Sequence, residues 1–231
     1  MKAESLPVVS VAARPTPIRK RVVDFAVSVA ALAILAPLLI TIALAIRLDS
    51  PGSVTFRQRR VGRGGVSFEM YKFRTMRADA EALLPALQHR NQGGDYLIRI
   101  PNDPRVTRVG RWLRGIGLDE LPQLINVLKG EMSLIGPRPQ SPNEVALYDH
   151  HQRRRLEVLP GITGLWQVTS RGDPSFDEWV RLDLEYIDHW SFLLDVRIAL
   201  RTSWMMVRLS QAEPTAVSSE QLSPRDVAGA D

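Results

Sequence analysis

An uncharged stretch near the amino terminus, with positive charge on both sides, constrains this chain more than any other feature. Residues 25–46 contain no charged side chain and include Pro37. About 20 apolar residues are enough to cross the hydrocarbon core of a bilayer. Basic residues close to a membrane segment tend to stay on its cytoplasmic side. The basic residues that flank the stretch are Arg14, Arg19, Lys20 and Arg21 before it, and Arg47, Arg57, Arg59, Arg60 and Arg63 after it.

Two membrane topologies are compatible with this stretch. A re-entrant helix over residues 18–47, broken at Pro37, would return to its starting side and keep both basic clusters in the cytoplasm. A spanning helix would separate the clusters, and it stays open because membrane helices tolerate proline. Either way, the missing backbone donor of proline and its clash with the preceding turn predict a bend. The stretch is not a convincing cleavable signal, because it is too long and no small-residue cleavage site follows it promptly.

The composition limits the kinds of site and partner. The chain has 231 residues and no cysteine, which excludes disulfides, thiolate metal sites and cysteine nucleophiles. It carries 30 lysine and arginine residues against 25 acidic ones, and its pI is about 10.0. A basic surface suits anionic lipid headgroups, nucleotide phosphates or nucleic acid.

The predicted fold class is α+β and mostly helical, with the membrane helix joined to a compact cytosolic domain that has a small β-element. Short apolar runs on both sides of residues 62–65 predict two strands. Residues 176–190 and 192–209 mix apolar, aromatic and basic side chains, which predicts amphipathic helices at the membrane interface or packed on the core. The predicted parts are a disordered tail over 1–17, the membrane helix over 18–47, the cytosolic domain over 48–210 and a second disordered tail over 211–231.

Asp119 and Glu120 are the first candidates for chemistry. In the structural interpretation, Asp119 is the N-cap of a helix and Glu120 lies in its first turn. In the functional interpretation, Asp119 attacks phosphorus and Glu120 is a metal ligand or an acid/base partner. A carboxylate beside a diphosphate would be repelled unless a divalent cation screened the charge, and oxygen ligands favour magnesium or manganese.

Two groups of cations could bind phosphate. Pro137 and Pro139 fix the backbone on both sides of Arg138, and a rigid guanidinium suits a clamp on a transferring phosphoryl group. A solvated surface turn is the alternative. Lys72 and Arg74 would share one face of a strand, where they contact phosphates or are simply solvated.

Other signals are weaker. Arg171 follows the loop-rich residues 161–167, which suit nucleotide or sugar contacts but are equally typical of structural turns. The histidines show no spacing typical of metal ligands. The phosphate loop of nucleotide hydrolases and the dinucleotide glycine fingerprint are both absent from the sequence.

Five short segments, taken in order, make the chain closely resemble the bacterial sugar transferase family over roughly residues 18–209. Members of that family are monotopic phosphoglycosyl transferases that prime exopolysaccharide, capsule, O-antigen or glycan assembly. The segments are Lys20–Phe25, Tyr71–Met76, Leu118–Gln123, Ser133–Pro139 and Pro160–Gly164.

The resemblance implies transfer of a sugar-1-phosphate from a UDP-sugar to undecaprenyl phosphate, with release of UMP, as the first membrane step of exopolysaccharide biosynthesis. The sugar is expected to be a hexose, glucose or galactose. Asp119 is implied to be the covalent nucleophile and Glu120 its partner, and both are expected to hold Mg²⁺, with Mn²⁺ as an alternative. The residues expected to bind substrate phosphate are Lys72, Arg74, Pro137, Arg138, Pro139 and Arg171.

The resemblance also implies a re-entrant membrane helix that begins around Lys20, Arg21 and Asp24 and breaks at Pro37. Some members have serine before that proline, where this chain has Ala36. The catalytic domain is expected to face the cytoplasm on the bacterial inner membrane, with membrane lipids but no nucleic acid as partners. Oligomeric state is left open, a homodimer included. Larger relatives carry four additional membrane helices, so this chain is expected to be a catalytic module that works alone.

Two other functions stay open from the sequence. A non-catalytic protein that binds anionic lipid or nucleic acid would explain the basic charge, but not an acidic dyad followed by a rigid arginine loop. A glycosyltransferase attached to a membrane anchor would release UDP instead of UMP. The leaving nucleotide therefore distinguishes these functions.

Overall fold

The computed structural model describes residues 10–91, 100–169 and 175–211, with side chains up to residue 206. The mostly helical α+β class is confirmed. The helices are α1 (Ile18–Asp49), α2 (Ala80–Leu87), α3 (Arg108–Ile116), α4 (Gln123–Lys129), α5 (Pro142–Ala146), α6 (His150–Arg153), α7 (Leu165–Thr169), α8 (Phe176–Asp188) and α9 (Phe192–Gln211). The strands are β1 (Thr55–Val61), β2 (Ser67–Phe73), β3 (Ser133–Ile135) and β4 (Gly161–Thr163).

The first sheet is an antiparallel hairpin of β1 and β2, in which Thr55 pairs with Phe73 and Val61 with Ser67. A 3₁₀ turn over Arg63–Gly65 connects the strands, and Gly64 has a φ of 70°, which glycine adopts without strain. The strands are longer than the apolar runs predicted. Backbone pairing continues through charged residues such as Arg57 and Arg59, because alternate side chains of an edge hairpin face solvent.

The second sheet pairs β3 and β4 in parallel, with Ser133 opposite Gly161 and Ile135 opposite Thr163. Just beyond it, the Gly136 N–H donates to Thr163 O and the Gly161 N–H donates to Pro137 O, each at 2.9 Å. A Cβ on Gly161 would lie 2.1 Å from the Gly136 nitrogen, so only glycine permits this approach. The sheet therefore fixes the start of the Pro137–Pro139 loop.

Helix α1 extends over 32 residues and continues through Pro37. It is the helix in the described part of the chain that is long and apolar enough to cross a membrane. Many of its apolar side chains are exposed, including Ile34 and Ile40. The structure contains no lipid, and the re-entrant course remains a prediction.

Polar contacts hold the amino-terminal end of α1 to the domain. They are made by the three residues with which the membrane helix was expected to begin. Lys20 Nζ donates to Asp195 Oδ2 at 2.7 Å. Arg21 donates to the carbonyl oxygen of Leu128 at the end of α4, at 2.9 Å. Asp24 Oδ2 accepts from the Ser133 hydroxyl at 2.7 Å. These contacts attach α1 to β3, α4 and α9.

The carboxyl-terminal end of α1 belongs to an apolar cluster of the same domain. Ile42 and Ile46 are 3% and 2% exposed, and they pack with Phe73 of β2 and Leu113 of α3. The Val109 N–H donates to the Asp49 carboxylate at 3.1 Å. Both ends of α1 therefore contact one folded body.

The boundaries of the predicted tails need correction. Residues 10–17 were predicted to be disordered, but they lie against the domain. The Arg14 N–H donates to Glu157 O at 2.7 Å, and the Arg14 side chain pairs with the Glu157 carboxylate at 2.6 Å. Gln211, predicted to start the second tail, is the last residue of α9. Residues 1–9 and 212–231 lie outside the described residues.

Helix α9 exposes large apolar side chains while one face packs inward. Ile198 is 1% exposed, whereas Phe192, Leu193, Leu200 and Trp204 are exposed. This amphipathic pattern agrees with the predicted helix. Its place at a membrane interface remains a prediction.

Candidate active site

The acidic dyad lies on a 3₁₀ turn between α3 and α4. Gly117 ends α3 in the left-handed conformation, with a φ of 76°, and the turn covers Leu118–Glu120. Helix α4 begins at Gln123, its N-cap residue is Pro122, and no side chain caps it. The N-cap interpretation of Asp119 is therefore wrong. Its carboxylate is left for other contacts.

Glu120 is where three separate segments meet. Lys72 Nζ, from β2, lies 3.0 Å from Glu120 Oε1. Arg138 Nη1, from the loop after β3, lies 3.6 Å from the same oxygen. The structure thus brings together the dyad, the lysine and the arginine that the sequence singled out.

The loop that carries Arg138 is fixed on both sides. Pro137 is fully buried and Pro139 is buried, whereas the Arg138 side chain is 31% exposed. Beyond the loop, the Val61 N–H of β1 donates to Gln140 O at 2.9 Å. Arg138 is therefore presented from rigid backbone, and the alternative of a freely solvated turn is wrong.

The surroundings of Asp119 disfavour its charge. Burial raises the pKa of the Asp119 carboxyl, and the adjacent carboxylate of Glu120 raises it further. The positive charges of Lys72 and Arg114 act in the opposite direction. Perturbed carboxyl groups of this kind are typical of functional sites. An added positive charge would be stabilised here.

Burial and an ion pair act in opposite directions on the pKa of Lys72. Burial lowers the pKa of its ammonium group, while the Glu120 carboxylate opposes that change. The side chain is 15% exposed. It therefore places a positive charge beside the dyad with little competing water.

Two further cations belong to the site and were missed as site residues. Burial, followed by the nearby charge of Arg138, lowers the pKa of Arg60 to about 10. Arg60 lies on β1 and donates to Gln58 Oε1 at 2.8 Å. Arg114, on α3, donates to the Thr75 hydroxyl at 2.7 Å. Both sit in basic surroundings of the sequence, where no local pattern distinguishes them from solvated arginines.

The structure gives Arg74 another role than phosphate binding. Strand β2 ends at Phe73, so the alternation that would put Arg74 beside Lys72 stops one residue too early. Arg74 is buried, and it donates to the Ser50 carbonyl and hydroxyl oxygens at 2.7 and 2.9 Å. It thus pairs with the end of α1, where a cation is favoured by the helix dipole. Arg171 lies outside the described residues.

A comparison with protein families decides what kind of protein this is. A sequence profile of bacterial sugar transferases matches residues 16–209, most of the 231 residues. The chain belongs to the bacterial sugar transferase family. The resemblance noted from the five short segments is thereby confirmed.

Several relatives of this sugar transferase carry names that describe their activity. The galactosyl transferase CpsE of Streptococcus agalactiae is 44% identical over 186 residues, which cover 80% of this chain and 41% of CpsE. The exopolysaccharide production protein ExoY of Sinorhizobium fredii is 39% identical over 189 residues, 80% of this chain and 84% of ExoY. The UDP-glucose:undecaprenyl-phosphate glucose-1-phosphate transferase of Caulobacter vibrioides is 43% identical over 196 residues, 80% of this chain and 68% of the relative. The sugar transferase described here is an enzyme of the sugar-phosphate transferase class.

The dyad of this sugar transferase fits a divalent metal ion. Asp119 and Glu120 are adjacent carboxylates, and oxygen donors are the ligands that magnesium prefers. In the part of the chain that the structure describes, no three acidic or histidine side chains form a metal-binding group. Magnesium commonly binds through one or two carboxylates, with substrate phosphates and water completing its shell. The donor set therefore suits an ion that binds together with a phosphorylated substrate.

Proposed function

We propose that this enzyme transfers a hexose-1-phosphate, with glucose or galactose as the sugar, from a UDP-sugar to undecaprenyl phosphate and releases UMP. The observation that carries the proposal is the convergence of Asp119 and Glu120 with Lys72 and Arg138 on one side of the domain. The names of relatives support both substrates and both sugars. The reaction would be the first membrane step of exopolysaccharide synthesis.

The proposed reaction has two displacements at phosphorus. A carboxylate oxygen of Asp119 attacks the phosphorus that bears the sugar, and the bond to the bridging oxygen breaks, so UMP leaves with that oxygen. The product is a phosphosugar linked to Asp119 as an acyl phosphate. An oxygen of undecaprenyl phosphate then attacks the same phosphorus, which frees the carboxylate and forms the lipid-linked diphosphate sugar.

The cations of the site favour the crowded negative charge of this reaction. Arg138 and Lys72 lie at fixed positions beside Glu120, so they need little reorganisation when charge moves onto the leaving phosphate. Asp119 and Glu120 would hold Mg²⁺, or Mn²⁺, which supplies charge neutralisation on the diphosphate when bound. Arg60 adds a further positive charge close to Arg138.

We further propose that α1 is re-entrant and that the domain faces the cytoplasm on the inner membrane. A straight helix of 32 residues would measure about 48 Å, well beyond the hydrocarbon thickness of about 30 Å. The contacts of Lys20 and Ile46 with one folded body support a course that enters and leaves on the same side. This monotopic seating would orient Asp119 toward a lipid phosphate that stays in the bilayer.

The nucleotide released is the experiment that tests the function. Membranes with the enzyme, a UDP-hexose and undecaprenyl phosphate should release UMP, and a phosphosugar should become attached to the wild-type protein. Replacing Asp119 with Asn should abolish both, while Asp177→Asn, the same change at an exposed acid of α8, should abolish neither. Release of UDP, or full turnover by the Asp119 variant, would overturn the proposal.

A further inference from the structure

A buried ion pair lies behind the loop that carries Arg138. Arg155, on the 3₁₀ turn Arg154–Glu157, pairs with Asp183 of α8 at 2.6 Å between Nη2 and Oδ2. The two side chains are 2% and 1% exposed. Arg155 also donates to the hydroxyl of Tyr148. We call these three residues the buried triad.

Stability alone does not explain the buried triad. Removing two charges from water costs several kcal/mol per ion, and apolar replacements of such pairs are often no less stable. Asp183 Oδ1 is buried and makes no hydrogen bond within the described part of the chain. Burial raises the pKa of Asp183 to about 6, although Arg155 lowers it, so the carboxylate is charged at neutral pH. A feature this costly is expected to position something.

The position of the buried triad shows what it supports. Tyr148 and Arg155 line a small cavity whose other walls include Pro137, Arg138 and Pro139. Tyr148 and Arg155 therefore face the loop across this cavity, and Asp183 holds Arg155 in place. The charge of Arg138 also acts on the Asp183 carboxyl and lowers its pKa.

The neighbourhood of Arg138 makes such support necessary. Arg138 and Arg155 line one cavity, and the charge of Arg138 also lowers the pKa of Arg60, whose own carboxylate partner is Glu144 at 3.4 Å. Like charges repel, and burial strengthens that repulsion. Asp183 neutralises Arg155, whose positive charge would otherwise face Arg138 across the cavity. Without Asp183, Arg138 would be pushed toward solvent and away from Glu120.

We propose that Arg155, Asp183 and Tyr148 are positioning residues for the transfer reaction, because they hold the Arg138 loop at its working distance from the dyad. This inference rests on the proposed phosphate-binding role of Arg138. It adds a requirement for residues that do not touch the substrate. Their effect on the rate must pass through Arg138, which gives the inference a sharp test.

The test is a double-mutant cycle between the triad and Arg138. Asp183→Asn and Tyr148→Phe are each made alone and together with Arg138→Lys, and consumption of UDP-hexose is measured as kcat/KM in membranes. We expect Asp183→Asn to lower kcat/KM about 10- to 100-fold and Tyr148→Phe about 3- to 10-fold, the range that one lost charged or neutral contact gives. In the Arg138→Lys background, each should have less than a twofold effect, since the residue they position is gone.

The control is an exposed ion pair on the same helix. Arg181, paired with Glu178 at 2.7 Å, has a 58% exposed side chain, and Arg181→Gln should leave kcat/KM unchanged in both backgrounds. Effects of the triad variants that multiply with that of Arg138→Lys would overturn the inference, because a general loss of structure acts independently of Arg138. If Asp183→Asn fails to fold by thermal denaturation, the milder Tyr148→Phe cycle decides alone. The assay counts all UDP-hexose consumed, whether UMP or UDP leaves. A wrong proposed function therefore appears in the nucleotide released, whereas a wrong triad role appears in the double-mutant cycle.

Discussion

Two arginines in similarly basic stretches of the sequence have different surroundings in the structure. Arg74 is buried, with its donors on the end of α1 at Ser50. Arg138 is partly exposed and faces the dyad at Glu120. Burial with hydrogen bonds to the end of a helix indicates a structural role, while a partly open guanidinium beside a perturbed carboxylate indicates a role in binding.

Replacing each of these arginines with methionine should therefore give opposite results. Arg138→Met should lower kcat/KM about 10²- to 10³-fold, the usual effect of removing one preorganised donor, while the melting temperature stays within about 3 °C. Arg74→Met leaves the part-buried oxygens of Ser50 without their donor, so the melting temperature of this variant should fall clearly. The kcat/KM of its folded protein should stay within about threefold of the wild-type value. Rate assays and thermal denaturation of the two purified variants check this. Equal losses of rate would return Arg74 to the phosphate site.

Asp119 should limit the stability of the enzyme. Its pKa is raised in the folded state, so the folded state binds the proton more tightly than the unfolded one, and ionisation costs folding free energy at neutral pH. Asp119→Asn removes that cost. Without divalent cations at about pH 7.5, we expect the melting temperature to rise by about 2–4 °C.

The same gain should shrink as the pH falls toward the ordinary Asp value of 3.8, because both states of the wild type are then protonated. Glu69→Gln is the matched control, since Glu69 is a 60% exposed carboxylate that pairs weakly with Arg57. A gain from Asp119→Asn that is independent of pH would contradict the electrostatic explanation.

Most of the candidate site could be predicted residue by residue, and the exceptions have definite causes. The order of motifs was enough to identify Asp119, Glu120, Lys72 and Arg138 without knowledge of their contacts. The structure brings these four residues together. Arg60 was missed, because its importance depends on burial beside Arg138, which no local pattern reveals.

At the scale of elements, α1 has an inner and an outer face at its carboxyl-terminal end. Ile42 is 3% exposed and packs with Phe73 and Leu113, whereas Ile40 is 62% exposed. Ile42→Ala should therefore destabilise the protein by about 2–5 kcal/mol, the cost of a large-to-small change in a core. Ile40→Ala should change the free energy of unfolding by less than about 0.5 kcal/mol in detergent. Denaturant unfolding of both variants measures the difference, and equal effects would show that α1 is not docked as described.

The course of α1 through the membrane can be read by chemical labelling, because the chain has no native cysteine. We expect Ala13→Cys and Ser53→Cys, on the two sides of α1, both to react with a membrane-impermeant maleimide in inside-out vesicles. Neither should react in right-side-out vesicles. Ile34→Cys, 76% exposed in the structure but expected within lipid, should be protected in both. Labelling of Ala13→Cys and Ser53→Cys from opposite sides would establish a spanning helix.

The existence of most elements followed from periodicity, but their limits depended on contacts. Residues 142–157 are divided into α5, α6 and a 3₁₀ turn. Ser141 and Asp149 each start a new helix with a capping box, in which Glu144 and Gln152 complete the reciprocal bonds. Apolar spacing alone does not show such interruptions.

At the scale of the whole molecule, the site is assembled from distant parts of the chain. Lys72, Glu120 and Arg138 come from a hairpin, a turn between helices and a loop after a parallel strand pair. Their meeting could not be derived from local propensity, since it depends on packing between segments far apart in sequence. The order of motifs anticipated the family, and the structure supplies the distances.

The packing of α1 against the domain has a consequence for proteolysis and folding of the enzyme. The helix proposed to enter the membrane also completes an apolar cluster through Ile42 and Ile46, so it is not a detachable anchor. A protease that trimmed the membrane segment would not liberate a working catalyst but an unfolded remnant. On the proposed membrane seating, newly made chains would reach the bilayer before they finish folding, and insertion and folding would become a single step.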